Sequence, residues 1–472
     1  MKTTVSFEHA AALRASALES REQQSLRANT RMYIGLAWAF ALGALVAGFY
    51  LRIISFRLWV SLIVLAALLL LVLKNRHMQA VDWSLLLVAA FEIVSLPFSQ
   101  YSANSFRTLV AVAFSALMFF AVRLTIRQSI QVSVLSGVVA VFGACLGLSA
   151  IDQFAAEARH LQDAGFSDLL AFRSRLITPP APWISGEWFT LILLTLPFAC
   201  AVPAYLWCRD RRWPATFSLL PASIIAIALT FSLSRAAFWS TVLFCFSVCA
   251  FLVYSRTFSF RFGGVLLGGT LGLLILILAC ESAMYPSLLK TYIGQHTTQT
   301  RSTQGRERIW TRSFELARAH PLVGVGSSNA ALMLLSTSDD EGTGFAGRTF
   351  SLPIQVLLEK GIIGVALYSA FLALASRECL LRMRYSTRIP DHGEENSRVS
   401  HLPAKPPRTT AVAEAKDELA CQPMVCCFAA GLIAVLSREL TYSSLMEHNV
   451  TMVLVAISAA LVCRPEVVEP DK

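Results

Sequence analysis

The residues best suited to chemistry are arginines in one long polar segment of an otherwise apolar chain. This segment contains the motifs Gly305-Arg306-Glu307-Arg308-Ile309-Trp310 and His320-Pro321-Leu322-Val323-Gly324-Val325-Gly326. A guanidinium group matches phosphate oxygens through two parallel hydrogen bonds, so Arg306 and Arg308 are candidates to bind a pyrophosphate. The alternative is a helix lying on the bilayer surface with its arginines on lipid phosphates.

The first motif is predicted to begin an amphipathic helix over Gly305–Ala319. Pro321 is expected to end this helix, and Gly324 and Gly326 predict a flexible turn after it. The two faces of the helix differ in character: one carries Trp310, Phe314 and Ala317, and the other carries Arg308, Arg312 and Glu315.

Two ionisable residues outside this segment are also candidates. Arg235 ends the short polar turn Ser232-Leu233-Ser234-Arg235 between two apolar stretches, and an ionisable group at membrane depth is costly enough to suggest a function. The alternative is that its side chain only reaches the membrane surface. Glu92 lies in the middle of an apolar stretch, where it is expected either to be buried against a polar partner or to line a substrate groove.

The composition indicates an integral membrane protein, since the 472 residues are 55% hydrophobic and 15% charged, with a mean hydropathy of +0.58. The formal net charge is +10, but the basic residues form short clusters between apolar runs. Such clusters are typical of topology signals rather than of a nucleic-acid-binding face. The cysteines are absent from the long polar segment, and their spacing predicts neither a disulfide framework there nor a zinc site.

The apolar stretches predict the fold class. We expect an all-α integral membrane protein of about twelve transmembrane helices, with one long extracytoplasmic loop that carries short amphipathic helices. The stretches are Tyr33–Tyr50, Leu58–Leu73, Trp83–Phe98, Thr108–Val122, Val132–Ile151, Phe189–Trp207, Phe217–Phe231, Ala236–Tyr254, Gly263–Cys280, Leu352–Ser376, Leu419–Ser437 and Met446–Cys463.

Basic residues in the short connections orient these helices and place both termini in the cytoplasm. The resulting segments are 1–32, a cytoplasmic lead-in; 33–280, transmembrane helices 1–9; 281–351, the extracytoplasmic loop; 352–376, helix 10; 377–418, a disordered cytoplasmic linker; 419–463, helices 11 and 12; and 464–472, a cytoplasmic tail. The four pieces placed outside all contain arginine, against the usual bias, and anion binding is the simplest reason: Asp152–Trp188, Ser234-Arg235, Glu281–Thr349 and Arg438–Ser444.

Four short motifs in a fixed order resemble the bacterial O-antigen ligase and polysaccharide polymerase superfamily. The resemblance covers residues 189–371. The motifs are Ser-Arg-Ala-Ala-Phe-Trp from Ser234, Gly-Arg-Glu-Arg-Ile-Trp from Gly305, Pro-Leu-Val-Gly-Val-Gly from Pro321, and Ile354-Gln355 followed by Glu359-Lys360-Gly361-Ile362-Ile363-Gly364.

The resemblance implies a metal-independent glycosyltransferase, without cofactors, in the bacterial inner membrane. It would transfer a glycan from a polyprenyl-pyrophosphate carrier to an acceptor hydroxyl at the outer face. Arg235 and Arg306 or Arg308 match the arginines that bind the donor pyrophosphate in this family, where fixed cations stabilise the departing charge. The implied partners are the lipid-linked donor, the glycan acceptor, the bilayer and a chain-length regulator, but no nucleic acid.

The chain departs from the family pattern at one position. The family has His-Asn shortly before the glutamine and glutamate of the last motif, whereas Phe350 and Ser351 occupy these positions here. A phenyl ring cannot accept a proton, so either another group serves as the base or the acceptor needs no strong base. We take His320 as the candidate substitute, and Arg348 as a residue that could replace some of the lost polarity.

The remaining candidate substrate-binding residues are Gln355 and Glu359 in the last motif, and Arg438, Glu439 and Tyr442 around the last predicted outer turn. Arg438 and Glu439 beside Tyr442 would suit a sugar-binding rim, or they could anchor a helix end at the membrane surface.

The function expected is polymerisation of repeat units into exopolysaccharide or O-antigen. One alternative is an O-antigen ligase that joins glycan to a lipid A core, because ligases share these motifs. Another, from a different class, is a flippase or transporter of lipid-linked oligosaccharide. A transporter would place charges along a central path, whereas the polar residues here are concentrated in the outer segments. A glycosyltransferase with paired acids in its first outer loop is disfavoured, since residues 51–57 contain no carboxylate.

Overall fold

The structure is a computed structural model of the whole chain. It describes residues 78–126, 129–163, 186–231, 235–254, 296–336, 349, 351–385, 409–439 and 457–461, together with residues 272, 275, 279 and 455. No β-strand occurs among these residues, so the all-helical fold class is confirmed for them. Eleven α-helices are numbered in chain order: α1 Ala80–Ser95, α2 Ser102–Thr125, α3 Ser129–Asp163, α4 Gly186–Cys208, α5 Arg212–Phe217, α6 Leu220–Phe231, α7 Arg235–Tyr254, α8 His296–Ala319, α9 Ala330–Ser336, α10 Leu352–Tyr385 and α11 Thr409–Glu439.

Seven candidate membrane spans lie in the described part of the chain, each long and apolar enough to cross a bilayer. They correspond to seven of the predicted stretches, and α11 contains a shorter apolar segment, Gln422–Arg438, at an eighth. The predicted stretches Tyr33–Tyr50 and Leu58–Leu73 lie outside the described residues, and Gly263–Cys280 and Met446–Cys463 lie largely outside them.

Several helices extend further than their apolar stretches. Helix α3 continues to Asp163, and α8 begins at His296 rather than Gly305. Residues 377–385, predicted as part of a disordered linker, continue α10, and residues 409–418 begin α11. The physical reason is local: Ala, Leu, Glu and Lys dominate residues 409–420, and these residues favour helix whether or not they lie in a membrane.

Helices α3, α4, α6, α7 and α11 form one packed bundle. Small residues let their backbones approach closely, as in other membrane bundles. Gly431 of α11 lies against the ring of Pro197 in α4, and Gly143 of α3 lies against Thr195 of α4. The rings of Phe198 and Phe428 meet edge to face, with 5.0 Å between centroids.

Helices α1, α2 and α10 form a second group beside this bundle. Helix α1 runs antiparallel to α10. Glu92 near the end of α1 pairs with Lys360 early in α10. Asp82 near the start of α1 is close enough to Glu378, in the last part of α10, for their charges to interact. The ring of Phe119 in α2 also contacts a phenylalanine of α10, at 6.3 Å between centroids. Helices α8 and α9 pack on α10, and the motif Pro321–Gly326 lies between them in the chain.

Candidate functional site

Helix α10 is broken at Gly361. This residue has φ 61° and ψ −167°, a region that is essentially restricted to glycine, while the residues on both sides remain helical. A Cβ at this position would overlap the backbone of Leu322. The break therefore exists where the segment after α8 passes directly against α10.

The segment Pro321–Asn329, which we call the docked loop, fills the break. A broken helix in an apolar setting leaves backbone N–H and C=O groups unpaired at a cost of several kcal/mol each. Here four backbone hydrogen bonds compensate: Val325 N to Leu358 O (2.9 Å), Gly326 N to Glu359 O (2.9 Å), Ile362 N to Pro321 O (2.9 Å) and Ile363 N to Leu322 O (3.3 Å). The loop thus completes the hydrogen bonding of both halves of α10.

Two glycines allow the backbone of the loop to approach α10 and Ser99 closely. Gly324 and Gly326 have φ values of +72° and +95°, and both are buried. A Cβ at Gly324 would overlap the backbone of Glu359 and Lys360, and one at Gly326 would overlap Ser99. The predicted turn is present, and its glycines are held in a packed backbone-to-backbone contact.

Four polar side chains meet beside the break, and we call them the Glu92 cluster: Glu92, Ser327, Lys360 and Tyr368. Lys360 Nζ forms an ion pair with Glu92 Oε1, and each of these side chains is only 1% exposed. The Ser327 hydroxyl donates to Glu92 Oε2 at 2.6 Å and accepts from Lys360 Nζ at 2.6 Å. The Tyr368 hydroxyl donates to Glu92 Oε1 at 3.0 Å. Of the two alternatives for Glu92, burial against a polar partner is confirmed.

The docked loop is also bonded to the connection between α1 and α2. Gln100 N donates to the carbonyl of Val325 at 3.1 Å, and Ser105 Oγ donates to the carbonyl of Ser327 at 2.9 Å. Asn329 Nδ2 donates to Ser99 Oγ at 2.8 Å. The loop is therefore held between α10 on one side and the end of the α1–α2 hairpin on the other.

Gln355 and Glu359 of the predicted substrate site are both buried. The Glu359 carboxylate accepts backbone hydrogen bonds from Ser328 and Ala330, and it accepts from Gln355 Nε2 at 3.2 Å. These backbone groups lie at the start of α9, so the carboxylate caps that helix. A role in binding substrate stays a prediction, but the contacts described for these two side chains hold the loop and α9.

The two arginines of α8 have different surroundings. Residues two apart on a helix do not share a face, so Arg306 and Arg308 point in different directions. Arg306 is half-buried, whereas Arg308 is exposed. Burial lowers the pKa of the Arg306 guanidinium from its usual value, but arginine keeps its charge at neutral pH. Of the pair, Arg306 is the cation held partly away from water, where its interaction with an anion is stronger.

Helix α8 is tied to the start of α10 by Trp310. Its indole Nε1 donates to the carbonyl of Thr349 at 2.7 Å. Thr349 and Ser351 are buried, and they flank Phe350, which lies outside the described residues. The arginine helix therefore adjoins the segment where the family pattern expects histidine. His320 is half-buried just after α8, and its backbone N–H donates to the carbonyls of Leu316 and Ala317.

The other predicted site residues are placed as follows. Helix α7 begins at Arg235, although its side chain is not among those described. Arg438 lies in the last turn of α11 and is 1% exposed, so it belongs to the end of that helix rather than to a turn after it, and its role in binding sugar stays a prediction. Glu439 is the last residue of α11. Arg348, Tyr442 and the side chain of Glu439 lie outside the described part.

Sequence reasoning missed Lys360, Ser327 and Tyr368. A signal for Lys360 was present, because a lysine within one apolar stretch and a glutamate within another must each find a partner. No comparable sequence pattern indicated that Ser327 or Tyr368 would belong to the cluster. In the described regions, no group of three or more His, Cys, Asp or Glu residues is arranged to hold a metal ion.

These features define a polytopic helical membrane protein in which a polar segment is packed into a broken apolar helix. Residues 193–369 match the family model for O-antigen ligase, which spans less than half of the 472-residue chain. The match confirms the resemblance predicted from the four motifs and places this region in the O-antigen ligase and polysaccharide polymerase superfamily. It includes Arg235, the arginines of α8, the docked loop and the break in α10. No curated protein matches the chain.

Proposed function

We propose that this protein transfers a glycan from a polyprenyl-pyrophosphate carrier to an acceptor sugar hydroxyl at the outer face of the cytoplasmic membrane. The product proposed is polymerised exopolysaccharide or O-antigen repeat units. The single observation that carries the proposal is the family match over 193–369, whose members act in glycan transfer of the ligase or polymerase type. The half-buried Arg306 within that region supports it.

The chemistry would need few protein groups. The acceptor hydroxyl oxygen forms a bond to the anomeric carbon of the donor sugar while the bond from that carbon to the pyrophosphate oxygen breaks. The electron pair leaves with the diphosphate, whose charge Arg306 and Arg235 would stabilise. The hydroxyl proton passes to a base such as His320, or to water if the anomeric centre is electrophilic enough.

The test compares arginines of one helix. We expect Arg306→Ala to lower glycan transfer about 100-fold or more, as loss of a fixed donor to a developing charge does. Arg306→Lys should restore little, because an ammonium cannot form the paired hydrogen bonds. Transfer is measured with purified protein in nanodiscs and a lipid-linked oligosaccharide donor, following chain length by gel electrophoresis.

Arg318→Ala is the matched control, because Arg318 is an exposed cation on the same helix. Its activity should stay near that of the wild type. Wild-type transfer by Arg306→Ala would refute the assignment of the donor site. Arg308→Ala is expected to have a smaller effect than Arg306→Ala, since Arg308 is exposed to solvent.

A ligase remains the second candidate, because the matching family model is itself that of O-antigen ligase. The two reactions differ in the acceptor. A polymerase extends one lipid-linked glycan with another, whereas a ligase needs a lipid A core. Adding each acceptor separately to the same assay distinguishes them: growth of chain length with the donor alone supports polymerisation, and transfer only to lipid A core supports ligation.

A further inference from the structure

Helix α1 carries two buried ion pairs with different surroundings. Near its start, Asp82 Oδ1 pairs with Arg123 Nη1 of α2 at 2.5 Å, and this pair joins two helices that are consecutive in the chain. Near its end, Glu92 pairs with Lys360 of α10, 268 residues away in the chain. Only the second pair also contacts the docked loop, through Ser327.

Ser327, a residue of the docked loop, is hydrogen-bonded to both members of the ion pair. Its hydroxyl donates to Glu92 and accepts from Lys360, so it is bonded to both charges. Its own carbonyl accepts from Ser105 of α2. Lys360 adjoins Gly361, the residue at which α10 is broken. The ion pair therefore joins α1, the break in α10 and the loop at one point.

The loop in turn continues directly from α8. His320 directly follows the last residue of that helix, and Gly324 N donates to the carbonyl of His320 at 3.1 Å. A helix is a rigid body over a few turns, so an anchor at its end restricts where Arg306 can lie. The second anchor of α8 is Trp310, whose indole is bonded to Thr349.

We propose that Glu92 and Lys360, acting through Ser327, are positioning residues for glycan transfer: they hold the docked loop in the break of α10 and thereby set the position of Arg306. This rests on the proposed function. The pair itself touches no substrate, because its members are buried among protein groups.

The experiment uses the full chain in nanodiscs and two readouts. The first is hydrogen exchange of the backbone amides in 321–329, which reports loop opening without any substrate. The second is the kcat and KM for the lipid-linked donor. The test variants are Ser327→Ala, which removes the bridging hydroxyl and keeps the ion pair, and Glu92→Gln, which breaks the pair.

In both variants we expect amide exchange in the loop to rise about tenfold or more, because the hydrogen bonds that close it are weakened. The kcat should fall while the donor KM changes little, since Arg306 is displaced rather than removed. Asp82→Asn is the matched control on the same helix. It should lower thermal stability but leave exchange of 321–329 at the wild-type rate.

Each outcome decides the proposal. Wild-type loop exchange in Ser327→Ala overturns it, and this variant keeps the test valid if Glu92→Gln does not fold. Faster loop exchange with unchanged kcat also overturns it, because the loop would then not position Arg306. If the wild-type protein shows no glycan transfer with either acceptor, the proposed function fails, and the proposed role of these residues in that reaction falls with it. Loop exchange then still reports separately whether Glu92 and Lys360 hold the loop.

Discussion

Two buried carboxylates beside the break in α10, Glu92 and Glu359, have different partners. Glu92 is matched by Lys360, and Glu359 is matched by backbone N–H groups at the start of α9. Lys360 therefore joins α10 to α1 and to the loop, whereas Glu359 holds the loop and the start of α9. Removing one member of a buried ion pair typically costs about 3–5 kcal/mol, because the other charge is left without compensation.

At the same scale, His320 is the residue whose chemistry is most open to test. If it accepts the proton of the acceptor hydroxyl, His320→Ala should lower kcat about 100-fold or more. His320→Gln should be equally inactive, because an amide forms hydrogen bonds but does not titrate near neutral pH. The measurement is steady-state transfer with the lipid-linked donor.

A different result separates a structural role from a catalytic one. Full activity in His320→Ala would remove this residue as the base. Activity in His320→Gln together with loss in His320→Ala would assign it to hydrogen bonding at the end of α8.

At the scale of elements, the central feature is a helix that is interrupted and completed by a loop. The break in α10 is sustainable only because Pro321, Leu322, Val325 and Gly326 supply the hydrogen bonds that α10 cannot make to itself. Non-helical backbone at membrane depth occurs where protein surrounds it, and Gly361 itself is buried. The same arrangement brings the arginine helix against the broken segment.

Gly361→Ala should therefore be strongly destabilising. Alanine is strained at φ 61° and ψ −167°, and its Cβ would overlap the backbone of Leu322, so the loss is expected to exceed about 2 kcal/mol. The measurement is the thermal midpoint of the purified protein, with hydrogen exchange of 321–329 beside it. An unchanged midpoint would contradict the close backbone contact.

Gly137→Ala in α3 is the control for this variant. A Cβ at Gly137 meets no atom within 4 Å, and the backbone there is helical. Alanine should thus be neutral or stabilise by up to about 1 kcal/mol.

At the scale of the whole molecule, the bundle of α3, α4, α6, α7 and α11 provides the support, and the group of α1, α2 and α10 carries the loop. The bundle is held by close packing rather than by a difference in polarity, because lipid is as apolar as the helix surfaces. The approach of Gly431 to Pro197 and the contact of Phe198 with Phe428 are examples of this packing.

Gly431→Leu should disrupt this bundle. The first added carbon already overlaps the ring of Pro197, and overpacking of this kind costs about 1–3 kcal/mol. The measurement is the height of the folded size-exclusion peak after heating to a series of temperatures. We expect this peak to be lost at a lower temperature than in the wild type. Gly137→Leu is the matched control on a face with open space and should fold like the wild type; equal stability of the two variants would argue against the α4–α11 contact.

Much of this organisation follows from local properties of the chain. The apolar stretches predicted the spans because hydrophobic length is a property of consecutive residues. The run of arginines before Trp310 and the motifs around it predicted the family, which the match over 193–369 confirms. Helix ends were predicted less well, since α3 and α11 continue into polar residues with high helix propensity.

The long-range pairings required the folded chain. Glu92 was recognisable as a buried charge in need of a partner, but its partner lies 268 residues away, and no local pattern specifies that choice. Gly324 and Gly326 predicted a turn, but the packing that holds them and Gly361 at positive φ values against α10 and the loop was not predictable from local sequence. Hydrophobicity is encoded residue by residue, while hydrogen-bond partners depend on which helices become neighbours, and that is established only when the chain packs.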